Sequence, residues 1–135
     1  MHTITIICGL IGAGKSTWAA RHFETFTDLD AVPGWQKADQ IRKTLDLVES
    51  GHDVAHITCY PTQDEEVAFR DMPVVYVWVD TPPAVCKKNI LKRGRLRDIQ
   101  NLASVEAAND RLYDRLISSR LPFRRVSVFE SNERW

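Results

Sequence analysis

Residues 3–18, "TITIICGLIGAGKSTW", change backbone character twice within one short stretch. Residues 3–8 are β-branched and apolar, the pattern of a strand buried on both faces. Residues 9–16 then read Gly-x-x-x-x-Gly-Lys-Ser, with too little side chain to fill a core. From 15 to about 23 the pattern is helical. A strand, a bare loop and a helix in that order start a parallel α/β fold.

Each loop position has a physical reason. Glycines at 9, 12 and 14 let successive amides point inward at a phosphate chain. The following helix offers its positive N-terminus to the same anion. Lys15 supplies a point charge for β- and γ-phosphates, and the Ser16 hydroxyl can ligate Mg2+. Gly9, Gly12, Ala13, Gly14, Lys15, Ser16 and Thr17 therefore form the expected site for ATP and Mg2+. The competing account is a glycine-rich turn with a chance lysine, and the flanking strand and helix argue against it.

The alternation continues to the end of the chain. A second short strand at 26–29 ends in acid, "FTDLD", and "VPG" at 32–34 is a turn. Residues 36–50 form an amphipathic helix with Ala38, Ile41, Leu45 and Val48 on one stripe and Gly51 as its stop. A third strand at 54–58 precedes a weak helix near 64–70. "VVYVWV" at 74–79 is the strongest strand, and Trp78 within it reads as core. Thr81 is expected to cap a helix running to about 92, whose first turn accepts Pro82 and Pro83. A helix at 104–118 aligns Val105, Ala108, Leu112 and Leu116, and 124–129 is a final strand. The expectation is a three-layer α/β sandwich on a five-stranded parallel sheet.

A length of 135 residues suits one domain, 1–135. Eighteen basic residues balance eighteen acidic ones, which excludes a global pull toward nucleic acid or membrane and leaves local clusters to supply any. Cys8, Cys59 and Cys86 form no Cys-x-x-Cys pair and read as reduced thiols in a cytoplasmic setting. The first strand is too short for a signal peptide or membrane span, so no membrane partner is expected. His52 and His56 flank a strand start without the helical spacing of a metal pair. Trp135 has no assigned role.

Two further features bear on the reaction. No Asn-Lys-x-Asp guanine reader is present, and the chain is too short for an ATP-binding-cassette protein. "DLD" at 28–30 falls at the carboxyl end of the second strand, the edge that faces the ligand crevice in an α/β sheet. A carboxylate there can accept a proton from an attacking hydroxyl, or simply cap a turn. "CKKNILKRGRLR" at 86–97 carries six cations and no acid. One account is a solvated helix face. The other is a mobile lid at about 86–98, in which Gly94 lets the arginines swing onto ATP.

With these motifs the chain resembles the small P-loop kinases, the group that includes gluconate and shikimate kinases and the 5′-kinase domain of phage-type polynucleotide kinase. The last is the closer match: "GAGKSTWA", an acid closing the second strand, "GHDVAHITCYP", "VDTP" and "KRG" occur in the same order over roughly residues 3–97. The resemblance implies a P-loop NTPase (kinase) fold, with Lys15, Asp30 as base, and Arg93 as catalytic residues. Asp28 becomes a neighbouring polar site, metal-positioning with Ser16, and Arg93 and Arg95 reach the ATP phosphates. Two departures stand out. The family's arginine after the base is replaced by "AVPGW", with Arg42 the nearest candidate. Its third-strand aspartate is replaced by "HITCY", leaving Asp28 to substitute.

The short segment after Asp30 leaves the acceptor side open, which suits a polymer end or a base within DNA. Trp35 either stacks on such a base, a contact of about 1–3 kcal/mol, or is a core or turn aromatic. Lys87, Lys88 and Lys92 offer a polyanion a path along their helix. Three functions follow. The first is an ATP-dependent kinase acting on a nucleic-acid or nucleotide hydroxyl, either a polynucleotide 5′-hydroxyl or a hydroxymethylated base. The second is a kinase for a small metabolite alcohol. The third is a non-catalytic nucleotide-binding module, motivated by the missing third-strand aspartate.

Overall fold

The computed structural model describes residues 2–31, 34 and 36–128. Its centre is β1 (Ile4–Cys8), every residue of which is buried. Ile6, Ile7 and Cys8 are at most 1% exposed, as a strand covered on both faces requires. The chain then runs through α1 (Lys15–His22), β2 (Phe26–Asp28), a 3-10 turn (Leu29–Ala31), α2 (Lys37–Glu49) and β3 (Val54–Ile57). It continues with α3 (Gln63–Ala68), β4 (Val74–Val79), α4 (Pro83–Arg93), α5 (Leu96–Gln100), α6 (Leu102–Ile117) and β5 (Phe123–Val126).

The five strands lie in the order β2-β3-β1-β4-β5, and every pairing is parallel. Ile7 lies opposite Ile57 on one side and Val77 on the other, so three apolar strands meet at mid-sheet. The β1-to-β2 connection crosses the sheet one way and the β2-to-β3 connection returns. Right-handed crossovers therefore place α1 and α2 on opposite faces. This is the parallel five-stranded α/β architecture expected from the alternation of elements. Strand order reverses between β1 and β3, the position at whose carboxyl ends open α/β sheets take their ligands.

Several local expectations change. β2 stops at Asp28, and the 3-10 turn carries Asp30 out of the ladder. α2 presents Gln40, Ile41, Thr44 and Val48 to the interior, while Ala38 is exposed and Leu45 half-buried. The buried face is shifted because Gln40 and Thr44 have polar partners on β2 and β3. Thr81 does not cap α4: Pro82 is the N-cap residue, and the threonine hydroxyl bonds elsewhere. Trp78 is core, 3% exposed, with the Arg125 guanidinium over its ring. β5 begins at Phe123, one residue earlier than expected. Val32, Pro33, Trp35, Phe129 and Trp135 lie outside the described residues. Among the described residues no helix is long and apolar enough to cross a membrane.

Candidate active site

The phosphate-type loop between β1 and α1 is held from behind. Asn109 of α6 binds both backbone groups of Ile11, donating to its carbonyl at 3.0 Å and accepting from its amide at 2.9 Å. Asn89 of α4 donates to the Gly12 carbonyl at 3.0 Å, and Thr81 Oγ1 donates to the Ala13 carbonyl at 2.7 Å. In a trans peptide the carbonyl opposes the next amide. Pinning the Ile11 and Ala13 carbonyls therefore turns the Gly12 and Gly14 amides the other way. The Ala13 amide instead closes a turn on the Leu10 carbonyl. Gly12 and Gly14 have φ of 84° and 92°. A Cβ on Gly12 would also lie 2.8 Å from the Cys86 carbonyl, so glycine is required on both counts. Lys15 Nζ lies over the loop, donating to the Gly9 and Leu10 carbonyls at 2.8 Å each, with Cys59 Sγ at 3.6 Å.

Both acids of "DLD" face this loop or its neighbour. Ser16 Oγ donates to Asp28 Oδ2 at 3.3 Å, and Asp28 Oδ1 accepts the Asp30 amide at 3.2 Å. Asp30 is gripped by two arginines: Arg95 Nη1 on Oδ2 at 2.7 Å and Arg97 Nη2 on Oδ1 at 2.8 Å. Partial burial pushes the Asp30 carboxyl up, but bonds and charge from Arg97 and Arg95 outweigh it and hold it below the usual range. Asp30, Arg95, Leu96 and Arg97 line an open crevice of about 490 Å³.

The basic segment divides at Gly94, which caps α4 at φ 69°. Arg93 turns back to Asp98 at 3.1 Å, bridging α4 and α5, so the structure does not bring it to the loop. Lys87 pairs with Glu106 across α4 and α6 at 3.1 Å. Arg42 is not the cation of this edge. It is 71% exposed and pairs with Asp39 one turn back on the outer face of α2. The basic residue that turns inward is Lys37, at the start of the same helix.

Lys37 belongs to a buried network spanning four elements. Its Nζ donates to Gln40 Oε1 at 2.9 Å, Thr58 Oγ1 at 3.3 Å and Glu65 Oε2 at 3.2 Å. Glu65 is fully buried and also binds His56 Nε2, the Thr58 hydroxyl and the Thr62 amide. The network assigns the tautomer: His56 Nε2–H donates to Glu65, and Nδ1 accepts from Thr44 Oγ1 at 2.7 Å. Burial keeps His56 neutral by pushing its pKa down, against the pull of Glu65. For Glu65 burial acts upward, but the bonds from His56 and Thr62 and the Lys37 charge hold it at about 2.

Two of the three cysteines are sealed in the core. Burial pushes the Cys86 thiol up to about 11 and raises that of Cys8 as well, and both are inert as nucleophiles. Among the described residues no three His, Cys, Asp or Glu side chains cluster around a metal position. The donors that converge are Ser16 Oγ and the Asp28 carboxylate. Two hard oxygens suit Mg2+, which takes few protein ligands and fills its shell with water and substrate phosphate.

No protein-family profile and no curated protein matches this chain. Solved structures do. A sugar kinase from Janibacter sp. aligns over 94% of this chain and 86% of its own, at 17% identity and TM-score 0.62. A gluconokinase from Sinorhizobium meliloti aligns over 94% and 82%, at 13% identity and TM-score 0.58. A deoxyadenosine kinase from M. mycoides, solved with bound dATP, aligns over 91% and 90%, at 14% identity and TM-score 0.55.

The fold is that of the P-loop kinases.

Within that fold the structure brings together the loop, Lys15, Ser16, Asp28, Asp30 and Arg95. It adds Arg97, expected as one of the lid arginines and found here on the Asp30 carboxylate. Thr81, Asn89 and Asn109 were missed because each binds backbone far away in sequence. Glu65 did carry a signal: Thr62-x-x-Glu65 is a capping box, complete in both directions.

Proposed function

We propose that this chain is an ATP-dependent kinase that phosphorylates a hydroxyl of a nucleotide or nucleic acid, with residues 86–98 as its lid. The observation that carries the reading is convergence at one sheet edge. Ser16, at the end of the phosphate-type loop, bonds Asp28, Asp28 bonds the Asp30 amide, and the Asp30 carboxylate lines an open crevice with Arg95 and Arg97. In the reaction the acceptor oxygen bonds to the γ-phosphorus, the bond to the β–γ bridging oxygen breaks, and ADP leaves. Asp30 orients the acceptor and takes its proton. Loop amides and Lys15 hold the transferring group, and Arg95 is the lid cation placed to reach its phosphates, Arg93 being held on Asp98. Ser16 and Asp28 would hold Mg2+, which supplies charge neutralisation on the phosphate oxygens.

The nucleotide-type acceptor is supported by the motif order shared with phage-type polynucleotide kinase. The deoxyadenosine kinase neighbour also acts on a nucleoside. A small-metabolite alcohol is the second reading, favoured by two neighbours that are a sugar kinase and a gluconokinase. Arg95 and Arg97 would then suit the carboxylate of an acidic acceptor such as gluconate.

Labelled ATP, incubated with 5′-hydroxyl oligonucleotides, hydroxymethylated DNA, nucleosides, gluconate and sugars, tests both. Transfer to an oligonucleotide or nucleoside is expected. Lys15→Ala should abolish it, and Asp30→Asn should lower kcat about 10²–10⁴-fold. Acceptor KM should rise steeply with salt for a polymer. Transfer confined to gluconate or sugars, with salt-insensitive KM, overturns the nucleic-acid reading. A Lys15→Ala protein with normal turnover overturns the site.

A further inference from the structure

Arg95 and Arg97 occupy both oxygens of the one carboxylate that the reaction needs unencumbered. We propose that these two arginines mask Asp30 until a polyphosphate chain draws them away, so that nucleotide must bind before an acceptor hydroxyl can reach its base. The proposal rests on the kinase reading above and gives Arg97 a task there.

The mask covers the acceptor's own approach. Arg95, Leu96 and Arg97 line the same crevice as Asp30, so a hydroxyl arriving there meets guanidinium groups before it meets the carboxylate. Asp28 lies on its other side through the Asp30 amide, and Asp98 touches Arg97 Nε at 3.7 Å. No other described charged group is bonded to Asp30.

The mask is built to break. Both ion pairs are about 40% exposed on each side. Exposed pairs of this kind contribute little, and a triphosphate offers an arginine fork more charge than one carboxylate does. The Arg93–Asp98 bridge holds α5 to α4. Release therefore needs only the exposed Arg95 and Arg97 side chains to swing, while α5 stays in place.

The test is equilibrium binding of ATP and inorganic tripolyphosphate, by calorimetry, with no acceptor present. The proteins are wild type, Asp30→Asn, Asp30→Ala, Arg95→Ala/Arg97→Ala, and both aspartate changes in the double-alanine background. Circular dichroism checks that each is folded. With the carboxylate gone neither arginine is drawn to Asp30, and Asp30→Asn and Asp30→Ala should bind tripolyphosphate roughly three- to tenfold tighter. Without Arg95 and Arg97 the same aspartate changes should give no gain. Unchanged or weaker affinity in the Asp30 variants overturns the mask and leaves the kinase reading standing. So does a gain that persists without the arginines, which would be simple relief of charge repulsion. If neither anion binds the wild type, the kinase reading fails and the mask falls with it.

Discussion

Asp30 and Glu65 each receive bonds from two basic side chains, one at the rim of the sheet and the other beneath it. Asp30 is 41% exposed and held by arginines from a segment that reaches across the crevice. Glu65 is fully buried, and its four bonds come from His56, Lys37, Thr58 and Thr62. Asp30 faces two cations and Glu65 one, since His56 is neutral, yet the roles differ chiefly because water reaches one carboxylate and not the other. Breaking the rim pair lets solvent or a phosphate replace what is lost. Breaking the buried one takes the acceptor from the His56 Nε2–H and the Thr62 amide and removes one partner each from Lys37 and Thr58. Exposure decides which is a switch and which a rivet.

The most severe way to break the comparison is to delete each carboxylate in turn. Glu65→Ala should destabilise the fold by about 3–5 kcal/mol, the usual result of removing one partner from a buried ion pair. Asp30→Ala should cost no more than about 1 kcal/mol, because its pairs are exposed. Urea unfolding at neutral pH measures both. Equal losses would show that burial does not separate the two sites.

Acid sharpens the contrast. His56 has a folded pKa below its ordinary value of 6.5, so below that pH the unfolded chain binds more protons and stability falls. Glu65, at about 2 in the fold against 4.5 as its ordinary value, adds a second loss as pH drops through that interval. The second loss is on the order of 3 kcal/mol when complete. Urea midpoints at pH 7, 5.5 and 3 should fall in sequence, and Glu65→Gln should remove the part of the loss that develops below about pH 4.5. A flat profile from pH 7 to 5 would mean that His56 is not held neutral.

The two sites were also unequally legible in the sequence. The rim site is built from local signals: glycine spacing in 9–14, Lys15 and Ser16 at a helix start, and two acids closing a strand. Each constrains its own backbone, so each could be read in place. The buried network draws on β2, α2, β3 and α3, and no neighbour in sequence betrays that Gln40, Thr44 and His56 meet. Polar residues at 40 and 44 made that face of α2 look solvated, which set the expected apolar stripe on Ala38 and Leu45 instead. The arginine grip on Asp30 was hidden for the same reason. It joins positions 65 and 67 residues apart, and sequence separation gives no distance.

Arg42 shows how a helix phase corrects a sequence reading, and it carries the smallest predicted effect. A basic residue was expected shortly after the acid of β2, and Arg42 was the nearest arginine. On a helix of about 100° per residue it sits about 140° around from Lys37, which faces the interior. Its guanidinium meets only Asp39 among the described residues, at 3.5 Å on the solvent side. A surface pair three residues apart contributes little, so Arg42→Ala should change stability by less than about 0.5 kcal/mol. Because no bond connects it to Asp30, Ser16 or the loop, transfer rate and acceptor KM should also stay within about twofold, a shift below roughly 0.5 kcal/mol. Steady-state kinetics on Arg42→Ala beside Asp30→Asn makes the comparison direct. A large loss of kcat in Arg42→Ala would place the arginine in the crevice and overturn the outward phase of α2.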